Sequence, residues 1–571
     1  MRFHLFKWSC LILFASGLCT ALAVPVPKGR ATELATGWLR EGTARLGRKM
    51  NSKVHAEVSY RDEAGDVSFY AIQLAPEGFI IVSADDAVEP VIAFSESGTT
   101  NDLVAGSPLF AMLSIDLPER NKHARVIESA YAESQRQPVN NAKPSRRPEH
   151  ARNNKNRWEK YANPAKAAGT KATLSSSALQ ADPTVADAEV PVYGGLYSIS
   201  DVRIAPIISS RWDQQTAQGQ SCYNFYTPNN YYAGCVAIAV SQLIRYWQYP
   251  VTGIGHITRN ITVNGVTQSA TTRGGNGAGG PYNWSQMPLN PQTATYNLAQ
   301  WQMIGSLCYD AGVIASMGYT ATGSSANLLI ASELTQSFGF GSAHDLWVNG
   351  GISAVTRDRV LMSNLAAGYP VITGIRQTVG NSGHAIITDG FGYSSGVTYF
   401  HVNYGWGMSG ATAWYNMPTM DSSPAYNLVD VLIYNIFPTN TGEIVSGRIV
   451  SGSSGLQGVT VVLTSAGTNS YSAVTDANGY YGVIVPGGAT YAMTATKTGY
   501  SSGQITDVVV GSSSQSYAGP CGNYFAQDLA LAAPSIPTLT EWGMIILAVL
   551  VLIMGSQVIR LQQVTYTDRA A

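Results

Sequence analysis

The sequence predicts an α+β chain of several modules, and three observations carry that prediction. Four strand-like runs lie between two helix-like segments in the first 130 or so residues. Between about 195 and 440, helix-patterned segments come first and apolar strand-like runs follow. After Thr439, short strands alternate with turns. At 571 residues the chain exceeds one ordinary core, so about three modules are expected. With 35 Lys and Arg against 36 Asp and Glu, and 57 Gly, it carries no nucleic-acid footprint. The composition is that of an exported protein rich in β and loop structure.

The elements follow in order. Residues 1–23 read as a secretory signal: basic Met1 to Lys7, an apolar run from Trp8 to Leu18, then small residues ending at Ala23. Cys19 raises a lipoprotein reading, but Leu18 is bulky where such signals want a small residue. Residues 24–134 form the first unit. Val54–Tyr60, Val67–Leu74, Gly78–Ser83 and Val91–Ser95 read as strands, bracketed by helices over Ala31–Lys49 and Leu109–Tyr131. Residues 135–194 are rich in Asn, Pro, Ala, Ser and basic residues and poor in large aliphatics, which predicts a flexible basic linker. Arg146-Arg147 and Lys155-Asn156-Arg157 lie in it as protease-accessible sites.

Residues 195–440 are the third segment. Helices are expected over Cys235–Tyr246, Tyr296–Ala315 and Ser325–Phe338, and strands over Pro370–Gly374, Ala385–Thr388, Tyr399–Asn403 and Leu428–Ile436. Residues 443–531 read as a small all-β sandwich, with turns such as Asp476-Ala477-Asn478-Gly479 between strand runs. Residues 535–571 hold an uncharged run from Met544 to Ile559, short for a bilayer span and ended by Arg560. A plain C-terminal anchor is one reading of it.

The chemistry concentrates in the third segment. Cys235 opens an apolar helix behind Ala233-Gly234, where unpaired N–H groups favour a thiolate and a carbonyl can approach the Cys235 N–H. A buried structural cysteine is the plain alternative. His384, flanked by Gly383, starts a strand, and His401 lies two residues before Asn403 on the next one. Residues two apart share a strand face, so spacing alone does not choose between the two histidines. His256 and His344 have no partner signature. Cys10 and Cys19 leave with the signal, so four cysteines remain: Cys222, Cys235, Cys308 and Cys521. That is too few for a disulfide scaffold, and no Cys-x-x-Cys or His-x-x-x-His cluster argues for a structural metal.

Several motifs then carry a resemblance. Tyr232 to Pro250 resembles the nucleophile helix of the streptopain family of secreted cysteine peptidases. Gly383 to Gly390 resembles that family's histidine strand, and Phe400 to Gly407 its closing motif. Arg211-Trp212-Asp213-Gln214 and Pro281-Tyr282-Asn283-Trp284 match further landmarks over about 200–440. The resemblance implies a papain-like catalytic domain with Cys235 as nucleophile, His384 as its partner, Asn403 orienting the ring and Gln214 as side-chain oxyanion donor. Trp406, Tyr404 and Gly383 are then expected to line the substrate site, and His401 becomes a structural neighbour. Tyr404 departs from the family's usual Trp, and Cys222 stands near the nucleophile segment.

Gly78 to Ser95 resembles the family's inhibitory prodomain, which makes the linker an activation segment. The 443–531 unit is similar to carboxypeptidase-regulatory-like sandwiches. Ile536-Pro537-Thr538-Leu539 with Glu541-Trp542-Gly543 resembles a C-terminal sorting signal. The reading is therefore a zymogen endopeptidase acting through a thioester, with no metal or organic cofactor. It implies protein or peptide substrates, its own prodomain as inhibitor, membrane contact through the C-terminal segment and no nucleic-acid partner. A preference for an apolar residue one position before the one bearing the scissile carbonyl is implied. A catalytically weak, surface-displayed binding protein using the sandwich is the alternative, and transpeptidation shares the same chemistry.

Overall fold

A computed structural model describes residues 25–533 and 539–567, except 41–43, 46–47, 105–106, 137–148, 163–200, 349–352, 376–382, 395–396, 408–411, 419–427, 467–468, 514–520 and 527. The expected signal, Arg146-Arg147 and the Ile536-Pro537-Thr538 start of the sorting signal lie outside those residues. The chain divides into two compact units. The first comprises 1–447, 482–490 and 509–527; the second comprises 448–481, 491–508 and 528–571.

In the first unit the four N-terminal runs form antiparallel strands: β1 (Lys53–Arg61), β2 (Val67–Ala75), β3 (Phe79–Ser83) and β4 (Val91–Ser95). Helix α1 (Arg30–Arg40) packs its Leu34, Trp38 and Leu39 on them, and α2 (Pro108–Arg136) follows. The predicted helix over Ala31–Lys49 thus stops at Arg40, in keeping with Gly42 and Gly47, which weaken helix beyond that point.

The linker prediction is overturned in its middle. Residues 149–162 form helix α3 (Glu149–Ala162), which lies against α1. Trp158 is 3% exposed in the same core as Trp38 and Ile80, and its indole N–H donates to the Val88 carbonyl at 2.9 Å. Arg157 reaches Glu89 at 2.9 Å, and Lys155 reaches Glu128 at 3.6 Å. The basic residues that read as a solvated tether are the helix's docking contacts, and two aromatics, Trp158 and Tyr161, supply the apolar face that the overall composition concealed.

The 195–440 segment contributes β5 (Asp201–Ile204), helix α4 (Cys235–Trp247), the hairpin β6 (Thr258–Val263) and β7 (Val266–Thr271), and α5 (Leu298–Ile314). Then come α6 (Ala331–Gln336), β8 (Ser342–Trp347), α7 (Ala354–Ala366), β9 (Val371–Ile375), β10 (His384–Ser394), β11 (Val397–Asn403), β12 (Thr412–Tyr415) and β13 (Val429–Phe437). The helix expected over Ser325–Phe338 is only α6, because Ser325 is drawn into a bridge with Gly318. Helix α4 is buried along Val236–Ile244 and packs between α5 and strands β9 and β10. This is the helical half against a sheet half that the sequence predicts.

One sheet joins the two parts of this unit. Among the described residues its order is β8-β13-β9-β10-β11-β12-β4-β3-β2-β1, with β5 beside β10. The seam is β12 against β4, with Trp414 opposite Phe94 and Tyr415 opposite Ala93. Tyr399 and Trp414 lie in the hydrophobic core of the N-terminal part.

In the second unit, β14 (Thr460–Ser465) pairs antiparallel with β15 (Ser470–Val474) and with β16 (Ala489–Thr496), and β17 (Gly503–Val510) lies beyond β16. The alternating burial of β14 gives it one core face. Helix α8 (Leu539–Thr567) includes an apolar stretch, Gly543–Arg560, long enough to cross a membrane.

Candidate active site

Cys235 is the first residue of α4. Gly234 ahead of it has φ 91°, and a Cβ there would lie 2.9 Å from the Met317 thioether and 3.0 Å from the Ser324 carbonyl. Only glycine fits both the conformation and the space. The thiol is half-buried. Burial alone would raise its pKa, but the charge of His384, a hydrogen bond to that ring and the backbone N–H groups of Ala385 and Val236 outweigh it. The thiol is held below its ordinary range.

His384 opens β10, opposite Ile375 of β9. Its Nε2 lies 3.0 Å from the Tyr404 carbonyl oxygen. That bond fixes the proton on Nε2 and leaves Nδ1 for the sulfur. Burial pulls the imidazole down, while the Cys235 thiolate and the Tyr404 carbonyl push it up and prevail. Each partner therefore stabilises the charged form of the other, the signature of a thiolate–imidazolium pair.

The third position differs from expectation. The Asn403 carboxamide is bonded elsewhere: Nδ2 donates to the Ser210 carbonyl at 2.9 Å and Oδ1 accepts from the Gly405 N–H at 3.0 Å. The group holding the imidazole is the next residue's backbone carbonyl, at Tyr404. A side-chain pattern in the sequence cannot reveal a backbone acceptor. Tyr404 is also not a wall of the cleft, since its side chain is 1% exposed and its hydroxyl has no hydrogen-bond partner among the described residues.

Trp406 is half-buried, with its ring edge-on to His384 and centroids 6.5 Å apart. Gly383 is exposed beside His384. Gln214 is buried, and its carbonyl accepts from the Ala233 N–H at 2.8 Å, two residues before Cys235.

His401 instead bonds Asp389 through Nδ1 at 2.5 Å and meets Trp414 edge-on. Asp389 in turn accepts from the Ile208 N–H at 3.0 Å, so this pair ties β10 and β11 to the segment leading to Gln214. His256 contacts the Thr272 carbonyl and His344 pairs with Ser342.

Residues 212–415 match the model of the Peptidase C10 family, and residues 23–115 match the Spi protease inhibitor model. Residues 212–415 are therefore similar to the C10 peptidases. An IPTL-CTERM motif matches 534–560. Streptopain from Streptococcus pyogenes serotype M1 is 23% identical over 364 residues, covering 62% of this chain and 74% of that protein. Streptopain from serotype M3 strain SSI-1 gives the same identity and coverage. Among solved structures, a prointerpain A fragment from Prevotella intermedia covers 67% of this chain and 99% of its own, with 19% identity and a TM-score of 0.40. Active interpain A from the same organism covers 41% and 95%, with 24% identity and a TM-score of 0.35. By the two family matches and the streptopain relatives, the chain is a streptopain-like cysteine peptidase preceded by an inhibitory segment.

The C10 site also contains a residue that the sequence reading missed. Gln242, two turns along α4 from Cys235, is 1% exposed. Its Oε1 accepts from the Ser210 hydroxyl at 3.0 Å and the Trp212 N–H at 3.2 Å, while Nε2 reaches Asn403 Oδ1 at 3.4 Å. It ties the nucleophile helix to the segment leading to Gln214 and to the Asn403 turn. A lone carboxamide within Val240-Ser241-Gln242-Leu243-Ile244 was the available signal, because a buried amide needs partners.

Cys222, Cys308 and Cys521 are free and buried, and burial pushes their thiols up, those of Cys308 and Cys521 to about 12. None competes with Cys235. Among the described residues no cluster of His, Cys, Asp and Glu could hold a metal ion.

Proposed function

We propose that Cys235 is the nucleophile of an exported endopeptidase zymogen, with His384 as its general acid and base. The observation that carries this is the hydrogen bond between the Cys235 thiol at the start of α4 and the His384 ring, whose Nε2 is held by the Tyr404 carbonyl; the directions in which the pair shift agree with it. The thiolate attacks the peptide carbonyl, and the oxyanion is received by the Cys235 N–H at the helix start and the Gln214 carboxamide. His384 passes its Nδ1 proton to the departing amine. It then takes a proton from the water that opens the thioester, and acid and thiolate are released. The Tyr404 carbonyl keeps the ring in the productive tautomer throughout. Asn403 and Gln242 act as positioning residues, holding the Tyr404 and Gln214 backbones in register.

The inhibitory segment runs from residue 24 to Ala162, so that it includes α3. Its hold on the C10 domain is the β4–β12 seam together with a buried polar cluster. Arg120 pairs with Asp116 at 2.6 Å and donates to Asn416 Oδ1 at 2.8 Å and to the Asn416 carbonyl. The Tyr415 hydroxyl donates to Asp116 at 2.7 Å. Removal of this segment activates the enzyme, and cleavage falls between Ala162 and Asp201, because β5 begins at Asp201 and is needed beside β10. The exposed apolar side chains of α8, from Met544 to Ile559, suit lipid, so α8 anchors the precursor before processing. Purified precursor should become active on a peptide with an apolar residue one position before the scissile one, and Cys235→Ala precursor should not.

A further inference from the structure

Asp213 touches both the turn that follows Trp406 and the backbone of Gln214. This inference rests on the peptidase reading above. His384 delivers its proton to the amine, so the leaving half of the substrate lies against His384, and Trp406 packs edge-on against that ring. The next residue, Gly407, has φ 63°, and a Cβ on it would lie 2.6 Å from Asp213 Cβ and 2.9 Å from Asp213 Oδ2. The Asp213 side chain is therefore seated on the Trp406-Gly407 turn. On its other side, Asp213 Oδ1 accepts from the Gln214 N–H at 2.6 Å, which places the carboxylate beside the proposed oxyanion donor.

Among the described residues no counter-charge faces Asp213: no Lys or Arg pairs with it, and Oδ2 has no donor. The nearest guanidinium in sequence, Arg211, is turned to the Thr412 hydroxyl at 3.5 Å. The group is half-buried, and burial pushes its carboxyl up to about 6, so it is an anion at neutral pH that gains from a cation brought into the cleft. A carboxylate needed only to hold the Gln214 N–H could be an Asn or Ser, either of which caps a backbone donor without the charge. We propose that Asp213 is a specificity-determining residue that pairs with a Lys or Arg side chain in the first two residues on the leaving side of the scissile bond.

The test uses the activated full chain and three peptides that differ only in those two residues: Lys-Lys, Gln-Gln or Glu-Glu. The wild type should prefer Lys-Lys over Glu-Glu by about tenfold in kcat/KM, a single partly buried charge contact. Added salt should shrink that ratio. In Asp213→Asn the ratio should fall to about one, and Asp213→Glu should restore part of it. A purely structural Asp213 would change all three peptides alike and leave the ratio standing; that result, or a wild-type ratio near one at low salt, overturns the proposal. The wild-type ratio and its salt dependence decide even where a variant does not fold. If the wild type cleaves none of the peptides, nor casein, the peptidase reading falls and takes this inference with it.

Discussion

The Cys235–His384 pair makes a direct prediction about pH. A thiol held below its usual range stays ionised as pH falls, so alkylation by iodoacetamide should persist well below pH 8, where an ordinary thiol of pKa near 8.5 loses reactivity. In His384→Ala the stabilising charge is gone while burial remains, and the reactivity should move to higher pH. Asn403 gives a second test. Were it a ring-orienting group, its loss would lower the rate alone. As a brace for Ser210, Gln242 and Gly405, its replacement by Ala should cost about 1–3 kcal/mol of stability, read by denaturant unfolding, together with some rate. The meeting of Cys235 with His384 was legible because each residue type at its place pointed to the other. The Tyr404 carbonyl and the Gln242 hub were not, since one is backbone chemistry and the other needs three distant segments to meet.

At the scale of elements, strands and apolar helices were readable from period alone, as β1 to β4 and α4 show. Helix α3 was not, because it carries few aliphatics and is held through Trp158 and Tyr161 and through basic side chains that find Glu89 and Glu128. Trp158→Ala should cost about 3–5 kcal/mol in the inhibitory segment. The measurement is activation time, and the variant precursor should activate sooner than the wild type. Arg120→Ala attacks the seam instead. It leaves Asp116 buried without its partner, a loss of about 3–5 kcal/mol for a pair as enclosed as this one. That precursor should show measurable cleavage of a small peptide before any processing. Unchanged latency in both variants would place the inhibitory contact elsewhere.

Across the first unit, one sheet carries His384 and the N-terminal strands, so that on the proposed reading latency is a property of continuous structure and not of a loosely tethered plug. Removing residues 24–162 uncovers the edge of β12 with Trp414, and Tyr399 of β11 beside it, an exposed apolar edge that should recapture a separately added 24–162 segment. The strands of the N-terminal part were legible from their alternation. The shared sheet was not, since the pairing of Trp414 with Phe94 joins residues some three hundred positions apart. The measurement that tests the account most directly is intact-mass tracking of the precursor beside its Cys235→Ala variant. The wild type should trim itself to a product beginning after Ala162 and before Asp201, while the variant stays whole until active enzyme is added. Identical trimming of the variant on its own, or an untrimmed wild type whose Cys235 resists iodoacetamide, would contradict it.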